Sequence, residues 1–224
     1  FTNRRDTTML KIHADPITIN CRKVLAGLSF LGAEFELVPM NFFAGDHTTP
    51  EHLALNPNAT VPVAVDGDMV LWESNAILQY AADKVGNTDA YPTDLKQRAD
   101  INRWLLWEAS VWFPCCYAFL VENVGKPLQG AEADPAVLAE QTEVFHKLAA
   151  VLDARLANNQ WVTGDTPTIA DIALAAPIHM HNEAQVPLAQ HTNLDRWMRS
   201  DLEKLPSWEE TYVGPGFTLG RPES

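Results

Sequence analysis

Residues 56–77 constrain the fold more than any other stretch of this 224-residue sequence. They contain two short apolar runs, 60–65 and 69–72, on either side of Asp66, Gly67 and Asp68. Because glycine can adopt positive φ without steric cost, this pattern predicts two strands joined by a tight hairpin turn. Pro62 lies near the start of the first run, where a residue without an amide donor disturbs a strand least.

A helix is predicted directly after the hairpin. Glu73 and Ser74 precede apolar residues at positions 77, 78, 81 and 82, which is a helical spacing. Ser74 is the predicted N-cap, because its hydroxyl can accept from the amides of the first turn. Such a helix start also presents free N–H groups and a partial positive charge, so it can hold a carboxylate. By itself the segment predicts only a capped helix after a hairpin.

The segments before this stretch complete a small α/β domain. Residues 9–14 alternate as in a short strand, Pro16 interrupts them, and residues 20–30 favour a helix before a second strand at 35–40. The two strands are expected to be parallel, with a right-handed crossover. A polar loop and a short helix from Pro50 follow. The order β-α-β-α-β-β-α predicts a thioredoxin-like α/β domain at residues 9–86.

The hydrophobic period changes after residues 87–94, which are rich in turn formers and are predicted to be a linker. Residues 95–123 and 135–156 carry apolar residues at three- and four-residue spacing, and Pro114 is expected to kink or break the first helix. Thr168 and Asp171 form a capping box that opens another helix. The predicted fold class is therefore α/β + all-α, with residues 95–224 forming an all-helical C-terminal domain.

Charge and cysteine content restrict the classes of partner. A formal net charge of −13 argues against nucleic acid and against an anionic membrane surface. The three cysteines fit neither an even disulfide framework nor a zinc-ligand spacing. His179 and His181, two residues apart on a helix, point in different directions, so no metal site is expected. With no apolar leader or bilayer-length run in the sequence, we expect a cytoplasmic protein.

Two motifs resemble the cytosolic glutathione S-transferases, whose thioredoxin-like domain carries a Val-Pro strand and an E-S-x-A-I helix start. Here these are Val61-Pro62 and residues 73–77 (ESNAI). The capping box at Thr168 resembles the start of the central helix of that family's C-terminal domain, and the resemblance spans nearly all of the chain after residue 8. It implies glutathione as co-substrate, no metal, a homodimer, and a bacterial theta/phi-like or disulfide-bond-reductase-like member. Val61 and Pro62 would then hold the cysteinyl backbone of glutathione, and Glu73 and Ser74 its γ-glutamyl end.

The start of the first helix should carry the thiol chemistry, since hydroxyl or amide donors stabilise a thiolate. The resemblance leaves three candidates for the catalytic residue. Thr18 occupies the position of a catalytic serine or cysteine in related classes. Asn20 completes a T-x-N arrangement similar to that of disulfide-reductase-like members, and Cys21 resembles the cysteine with which redox-type members form a mixed disulfide. A small buried residue is the more common role for such a cysteine.

Two further positions resemble glutathione-binding residues, with departures from the family pattern. Residues 45–47 (GDH) resemble a G-E-H motif whose histidine binds the glycyl carboxylate, which would assign that role to His47. Thr48 replaces the usual lysine that follows the histidine, and Thr60 replaces a frequent glutamine before the Val-Pro pair. These departures leave His47 equally open to interpretation as a solvated loop residue.

The second substrate is expected near the first long helix of the C-terminal domain. The resemblance implies a small hydrophobic electrophile or a disulfide, and the candidate contacts are Trp107, Ser110, Val111 and Phe113. Aromatic residues at helical spacing are more often core than ligand contacts. The function favoured by the sequence is glutathione transfer. Glutathione-dependent disulfide or peroxide reduction, and a non-catalytic binding module of the same fold, are the alternatives.

Overall fold

The computed structural model describes residues 9–213, so the first eight residues and residues 214–224 of the predicted helical domain lie outside it. The chain forms two compact units. The first contains the described residues up to Val85 together with 210–213, and the second is Gly86–Glu209. Residues 87–94, the predicted linker, belong to the second unit.

A four-stranded sheet forms the centre of the first unit. Its strands are β1 Leu10–Ala14, β2 Phe35–Pro39, β3 Val63–Asp66 and β4 Met69–Trp72, and they lie in the order β2-β1-β3-β4. β1 pairs in parallel with β2 and antiparallel with β3, and β3 pairs antiparallel with β4. The predicted βαβ unit and hairpin are therefore confirmed. Asp66 pairs with Met69 around a turn in which Gly67 has a φ of 61°.

Three helices accompany the sheet: α1 Ile19–Leu31, α2 Pro50–Leu55 and α3 Ser74–Val85. This completes the predicted order of strands and helices. α1 and α3 pack so closely that a Cβ added to Gly27 of α1 would meet Leu78 Cδ2 of α3 at 2.1 Å. A side chain at position 27 would therefore force Leu78 to move, so glycine favours the close approach of α1 and α3.

The second unit is helical, as predicted. Its α-helices are α4 Leu95–Trp107, α5 Phe113–Leu120, α6 Lys126–Leu128, α7 Pro135–Leu156, α8 Ile169–Ala175, α9 Thr192–Arg196 and α10 Pro206–Glu209. Trp112, Phe145 and Trp197 are among its largest fully buried side chains. The indole of Trp112 donates from Nε1 to the carbonyl of Leu174 at 2.9 Å, so this tryptophan is part of the core.

Pro114 was expected either to kink or to break the first long helix, and the helix does not break there. α4, α5 and α6 follow one another without a break, because π-helical turns at Glu108–Trp112 and Val121–Gly125 join them. Pro114 lies in the first turn of α5, directly after the wider turn. Its missing N–H is tolerated there, since a π-helical turn already changes the hydrogen-bond pattern.

This continuous helix, Leu95–Leu128, is by length and composition apolar enough to cross a membrane. The core helix of a soluble protein passes the same test. Several of its apolar residues, including Trp104, Leu105, Trp112 and Phe119, are buried within the second unit. α5 packs against α7 and α4 against α8, which is the behaviour of a core helix.

The capping box at the start of α8 is confirmed. Thr168 Oγ1 accepts from the amide of Ala170 at 3.3 Å, and Asp171 Oδ2 accepts from the amide of Thr168 at 2.9 Å. Asp171 Oδ1 also accepts from the amide of Val162 at 2.9 Å and from Trp197 Nε1 at 3.1 Å. This fully buried carboxylate therefore joins the start of α8 to two other segments of the helical unit.

Candidate active site

The loop between β1 and α1 is held by Asp15, which the sequence analysis did not single out. Its buried carboxylate accepts from the amide of Ile17 at 3.2 Å through Oδ1 and from the amide of Phe42 at 2.9 Å through Oδ2. One side chain thus ties the loop before α1 to the segment that follows β2. The sequence signal for it was the pair Asp15-Pro16, because aspartate before proline is common in turns.

Thr18 precedes α1 directly and has extended backbone angles, φ −83° and ψ 142°. Its hydroxyl donates to the carbonyl of Asp15 at 3.0 Å, and the same carbonyl accepts the amide of Thr18 at 3.0 Å. The hydroxyl can therefore rotate toward a ligand without leaving the carbonyl unpaired. This makes Thr18 a competent donor at the helix start, where the α1 amides add positive potential.

The starts of α1 and α3 are joined by four polar side chains, which we call the α1–α3 cluster: Asn20, Lys23, Ser74 and Asn75. Ser74 Oγ donates to Asn20 Oδ1 at 3.3 Å. Lys23 Nζ donates to Ser74 Oγ at 3.1 Å and to Asn75 Oδ1 at 3.4 Å. The structure therefore places two predicted site residues, Asn20 and Ser74, in direct contact, although they are 54 positions apart.

Ser74 lies one position further into the helix than predicted, because it is the first residue of α3 rather than the residue before it. The residue before it is Glu73, which is exposed and has a φ of 73°. The Ser74 hydroxyl contacts α1 and takes part in the α1–α3 cluster.

Cys21 is fully buried on α1. Burial raises the pKa of its thiol to about 12, against the opposing effect of hydrogen bonds with Thr18 and with the Asp15 backbone. A thiol with such a pKa is protonated near neutral pH, and its sulfur is inaccessible to a bulky partner. These properties are typical of a core cysteine rather than a nucleophile.

The segment before β3 is fixed through the carbonyl of Thr60. It accepts from His52 Nε2 at 2.9 Å and from Asn56 Nδ2 at 2.9 Å. The following Val61–Pro62 peptide bond is cis, and both residues are buried, whereas Thr60 is exposed. His52 and Asn56 were not predicted. Because both side chains hold the carbonyl of Thr60, the backbone next to it at Val61 has a defined position.

His47 lies in a 3₁₀ helix of one turn, Asp46–Thr48. Its ring stacks on Phe42, with ring centroids 4.1 Å apart and planes 18° from parallel. Its Nδ1 is buried and has no hydrogen-bond partner within residues 9–213. The ring is therefore oriented by stacking and not by a hydrogen bond to Nδ1.

The candidate contacts for the second substrate lie at and beside the π-helical turn of the helical unit. Ser110 and Val111 are exposed, and Trp107 and Phe113 are half-buried. Trp107 stacks on Trp112 at 5.6 Å between ring centroids. The four candidates therefore differ from the neighbouring core residues Trp104 and Trp112 in exposing part of their surface.

No group of three or more histidine, cysteine or acidic side chains within residues 9–213 is arranged to hold a metal ion. His179 Nδ1 lies 2.8 Å from the carbonyl of Ala176, and His181 Nε2 lies 2.9 Å from Glu203 Oε1. These two histidines thus have separate partners.

The chain matches both domains of one family. Residues 6–83 match "Glutathione S-transferase, N-terminal domain", and residues 112–202 match "Glutathione S-transferase, C-terminal domain". A probable glutathione S-transferase of Oryza sativa subsp. japonica, named GSTF2, is 34% identical over 168 residues, covering 75% of this chain and 78% of the relative.

Solved structures of glutathione S-transferases have the same fold as this chain. A glutathione S-transferase-I bound with lactoylglutathione has a TM-score of 0.81 at 29% identity and covers 91% of this chain and 98% of its own. The theta-class enzyme of Xanthomonas axonopodis pv. citri, with glutathione bound, has a TM-score of 0.82 at 29% identity, with coverages of 92% and 97%. This chain belongs to the glutathione S-transferase family. Its placement in a bacterial theta/phi-like or disulfide-bond-reductase-like subtype stays a prediction.

Proposed function

We propose that the protein is a glutathione transferase that stabilises the glutathione thiolate at the start of α1. The observation that carries this proposal is the hydrogen bond between Asn20 and Ser74. It joins a residue expected to contact the sulfur with a residue expected to bind the γ-glutamyl end of the same tripeptide. Relatives with glutathione or lactoylglutathione bound support the choice of ligand.

Glutathione would lie along the edge of the first unit. The amide of Val61, at the segment fixed through the carbonyl of Thr60, would pair with the cysteinyl backbone. Ser74, Glu73 and the exposed amides at the start of α3 would receive the γ-glutamyl group, whose carboxylate is favoured at a helix N-terminus. His47 would bind the glycyl carboxylate.

The chemical step is a substitution or addition by sulfur. The glutathione thiol loses its proton to solvent, and the thiolate forms a carbon–sulfur bond with the electrophile. In a substitution the leaving group departs with its electron pair, and in an addition the displaced π electrons take up a proton from solvent. Thr18 Oγ1 and Asn20 Nδ2 would donate hydrogen bonds to the sulfur. These bonds favour the charged form, lower the thiol pKa and so raise the reactive fraction near neutral pH. Cys21 takes no part, because its sulfur is buried and its pKa is raised to about 12.

The electrophile is proposed to be small and hydrophobic. Trp107, Val111 and Phe113 would supply apolar surface, and Ser110 a hydroxyl, since all four expose part of their side chains. The remaining parts of the proposal follow from the family: a homodimer, a cytoplasmic location and a role in detoxification. Light scattering in solution tests the first of these directly.

The decisive test is a pair of assays on the purified chain. Conjugation of glutathione to a chloronitrobenzene, compared with reduction of hydroxyethyl disulfide, separates transfer from disulfide reduction. Thr18→Ala should lower conjugation by roughly a hundredfold, the scale of losing a hydrogen bond to a charged group, and Cys21→Ala should leave it within about twofold. If Thr18→Ala left both activities unchanged, the assignment of the thiolate donor would be wrong.

Calorimetric titration tests the non-catalytic alternative. A binding module without glutathione would show no heat of binding at millimolar ligand, and that result would overturn every enzymatic assignment. Reduction of hydroxyethyl disulfide in preference to conjugation, lost in Asn20→Ala, would instead assign the chain to glutathione-dependent disulfide reduction.

A further inference from the structure

Lys23 is a charged residue in an unusual place. It lies in the second turn of α1 and only 2% of its surface is exposed, whereas lysines are almost never fully buried without a partner. Its ammonium group does not extend to solvent but donates to Ser74 Oγ and Asn75 Oδ1 at the start of α3. Burying an ammonium group is costly unless it is hydrogen-bonded, and here its hydrogen bonds direct the charge to the start of α3.

The hydrogen bonds of the α1–α3 cluster have a fixed direction. An ammonium group can only donate, so Ser74 Oγ must accept from Lys23. The single hydrogen of the Ser74 hydroxyl is then directed to Asn20 Oδ1. This hydrogen bond orients the Asn20 amide with its oxygen toward Ser74. The Nδ2 group then points away from Ser74 and is free to donate to a ligand.

Hydrogen bonds in such a chain strengthen one another. The charge on Lys23 polarises the Ser74 hydroxyl, which in turn polarises the carbonyl of the Asn20 amide and makes its N–H groups better donors. The effect ends at the residue that the proposed function places on the glutathione sulfur. Because Lys23 carries its positive charge to the start of α3, a γ-glutamyl carboxylate bound there would also be attracted by this ammonium group.

We infer that Lys23 is a positioning residue that acts through Ser74 to hold Asn20 as a donor to the glutathione thiolate, an inference that rests on the proposed function. The chain Lys23–Ser74–Asn20 then links the two ends of the ligand site. Occupation of the γ-glutamyl pocket and the state of the thiol become coupled through one set of hydrogen bonds. A residue that touches neither the sulfur nor the electrophile thereby sets the reactivity of the thiol.

The test measures the thiol pKa of bound glutathione, from the ultraviolet absorbance of the thiolate at saturating ligand, in wild type, Lys23→Met, Asn20→Ala and the double variant. Methionine matches the length of lysine and removes the charge. Lys23→Met should weaken glutathione binding roughly tenfold. It should also raise the thiol pKa, so that the thiolate fraction at neutral pH falls roughly threefold. In the Asn20→Ala background the same substitution should leave the thiol pKa unchanged.

Lys84→Met is the matched control, because Lys84 is a partly buried lysine of α3 that pairs with Asp66 in the same unit. It should change thermal stability but not the thiol pKa. If Lys23→Met proves unstable, Ser74→Ala breaks the same chain with a smaller change and should show the same dependence on Asn20.

Two results would overturn the inference: an unchanged thiol pKa in Lys23→Met, or an equal rise with and without Asn20, which would mean that the charge acts directly through space. Failure of the proposed function looks different. In that case wild type would not lower the thiol pKa at all, or Thr18→Ala and Asn20→Ala would both leave it unaltered.

Discussion

Two polar clusters at helix starts serve contrasting purposes in this protein. At the start of α8, the carboxylate of Asp171 is fully buried and accepts hydrogen bonds from the backbone of Val162 and Thr168, from the Thr168 hydroxyl and from Trp197. At the start of α3, the α1–α3 cluster includes the half-exposed Asn20, and exposed Glu73 lies beside it.

The difference lies in which groups complete the hydrogen bonds. Around Asp171 the protein supplies every donor that the carboxylate uses, so the cluster fixes the fold of the helical unit and offers nothing to a ligand. In the α1–α3 cluster the bonds orient an amide at the edge of the site, where a ligand can complete the pattern. A closed network contributes stability, and an open one contributes binding. The predictions below test this contrast, from the largest expected effect to the smallest.

Asp171→Ala should cause the largest loss of stability. It leaves buried donors from three segments without an acceptor, at a cost of about 3–5 kcal/mol in the free energy of unfolding. Urea unfolding measures this. Asp165→Ala, at an exposed carboxylate of the same loop, should change stability by less than about 0.5 kcal/mol. Equal small effects of both substitutions would show that the Asp171 network is not essential to the unit.

Gly27→Ala tests whether the α1–α3 crossing holds the open cluster together. The added methyl group would lie 2.1 Å from Leu78 Cδ2, and Leu78 is fully buried. Overpacking of this kind should cost about 1–3 kcal/mol, and displacement of α3 from α1 should also weaken glutathione binding. Leu78→Ala creates the space that the methyl group needs, so the double variant should be more stable than the sum of the two single effects indicates. Strict additivity would contradict the close approach.

The closed cluster should also have a characteristic pH dependence. Burial raises the pKa of Asp171 to about 6 in spite of its hydrogen bonds, whereas the unfolded chain has an ordinary aspartate pKa of about 4. Between these values the folded state binds more protons, so the contribution of Asp171 to the free energy of unfolding falls as the pH rises and levels off above about pH 6.

Asp171→Asn, which cannot titrate at this position, provides the reference for that measurement. The difference in free energy of unfolding between wild type and Asp171→Asn should decrease as the pH rises from about 4 to about 6. An increase over this range would mean that the donors around the carboxylate outweigh its burial and hold its pKa below the ordinary value.

The smallest expected effect is the reactivity of the Cys21 thiol in the folded protein. Because the thiol is buried and its pKa is raised to about 12, iodoacetamide should label it slowly in the native protein and rapidly after unfolding. The neighbouring pair Cys115 and Cys116 is also buried, so peptide mapping is needed to identify the labelled cysteine. Rapid labelling of Cys21 in the native state near neutral pH would make it a candidate nucleophile again.

Local patterns were sufficient to predict the hairpin, the βαβ unit and the capping box at Thr168, because each depends on residues close in sequence. The bond between Asn20 and Ser74 depends on how α1 packs on α3, and no local pattern encodes that packing. Lys23 was missed for a related reason, since lysine in an amphipathic helix is normally assigned to the exposed face. The unbroken helix through Pro114 likewise depends on a π-helical turn that the sequence does not indicate.

The most direct test of the central claim is the thiol pKa of glutathione bound to wild type and to Thr18→Ala, read from thiolate absorbance as the pH is raised. The account predicts that wild type holds the thiol pKa well below its value in free glutathione and that Thr18→Ala returns it toward that value, while glutathione still binds. A thiol pKa that is the same in both proteins would contradict the claim that the start of α1 stabilises the thiolate.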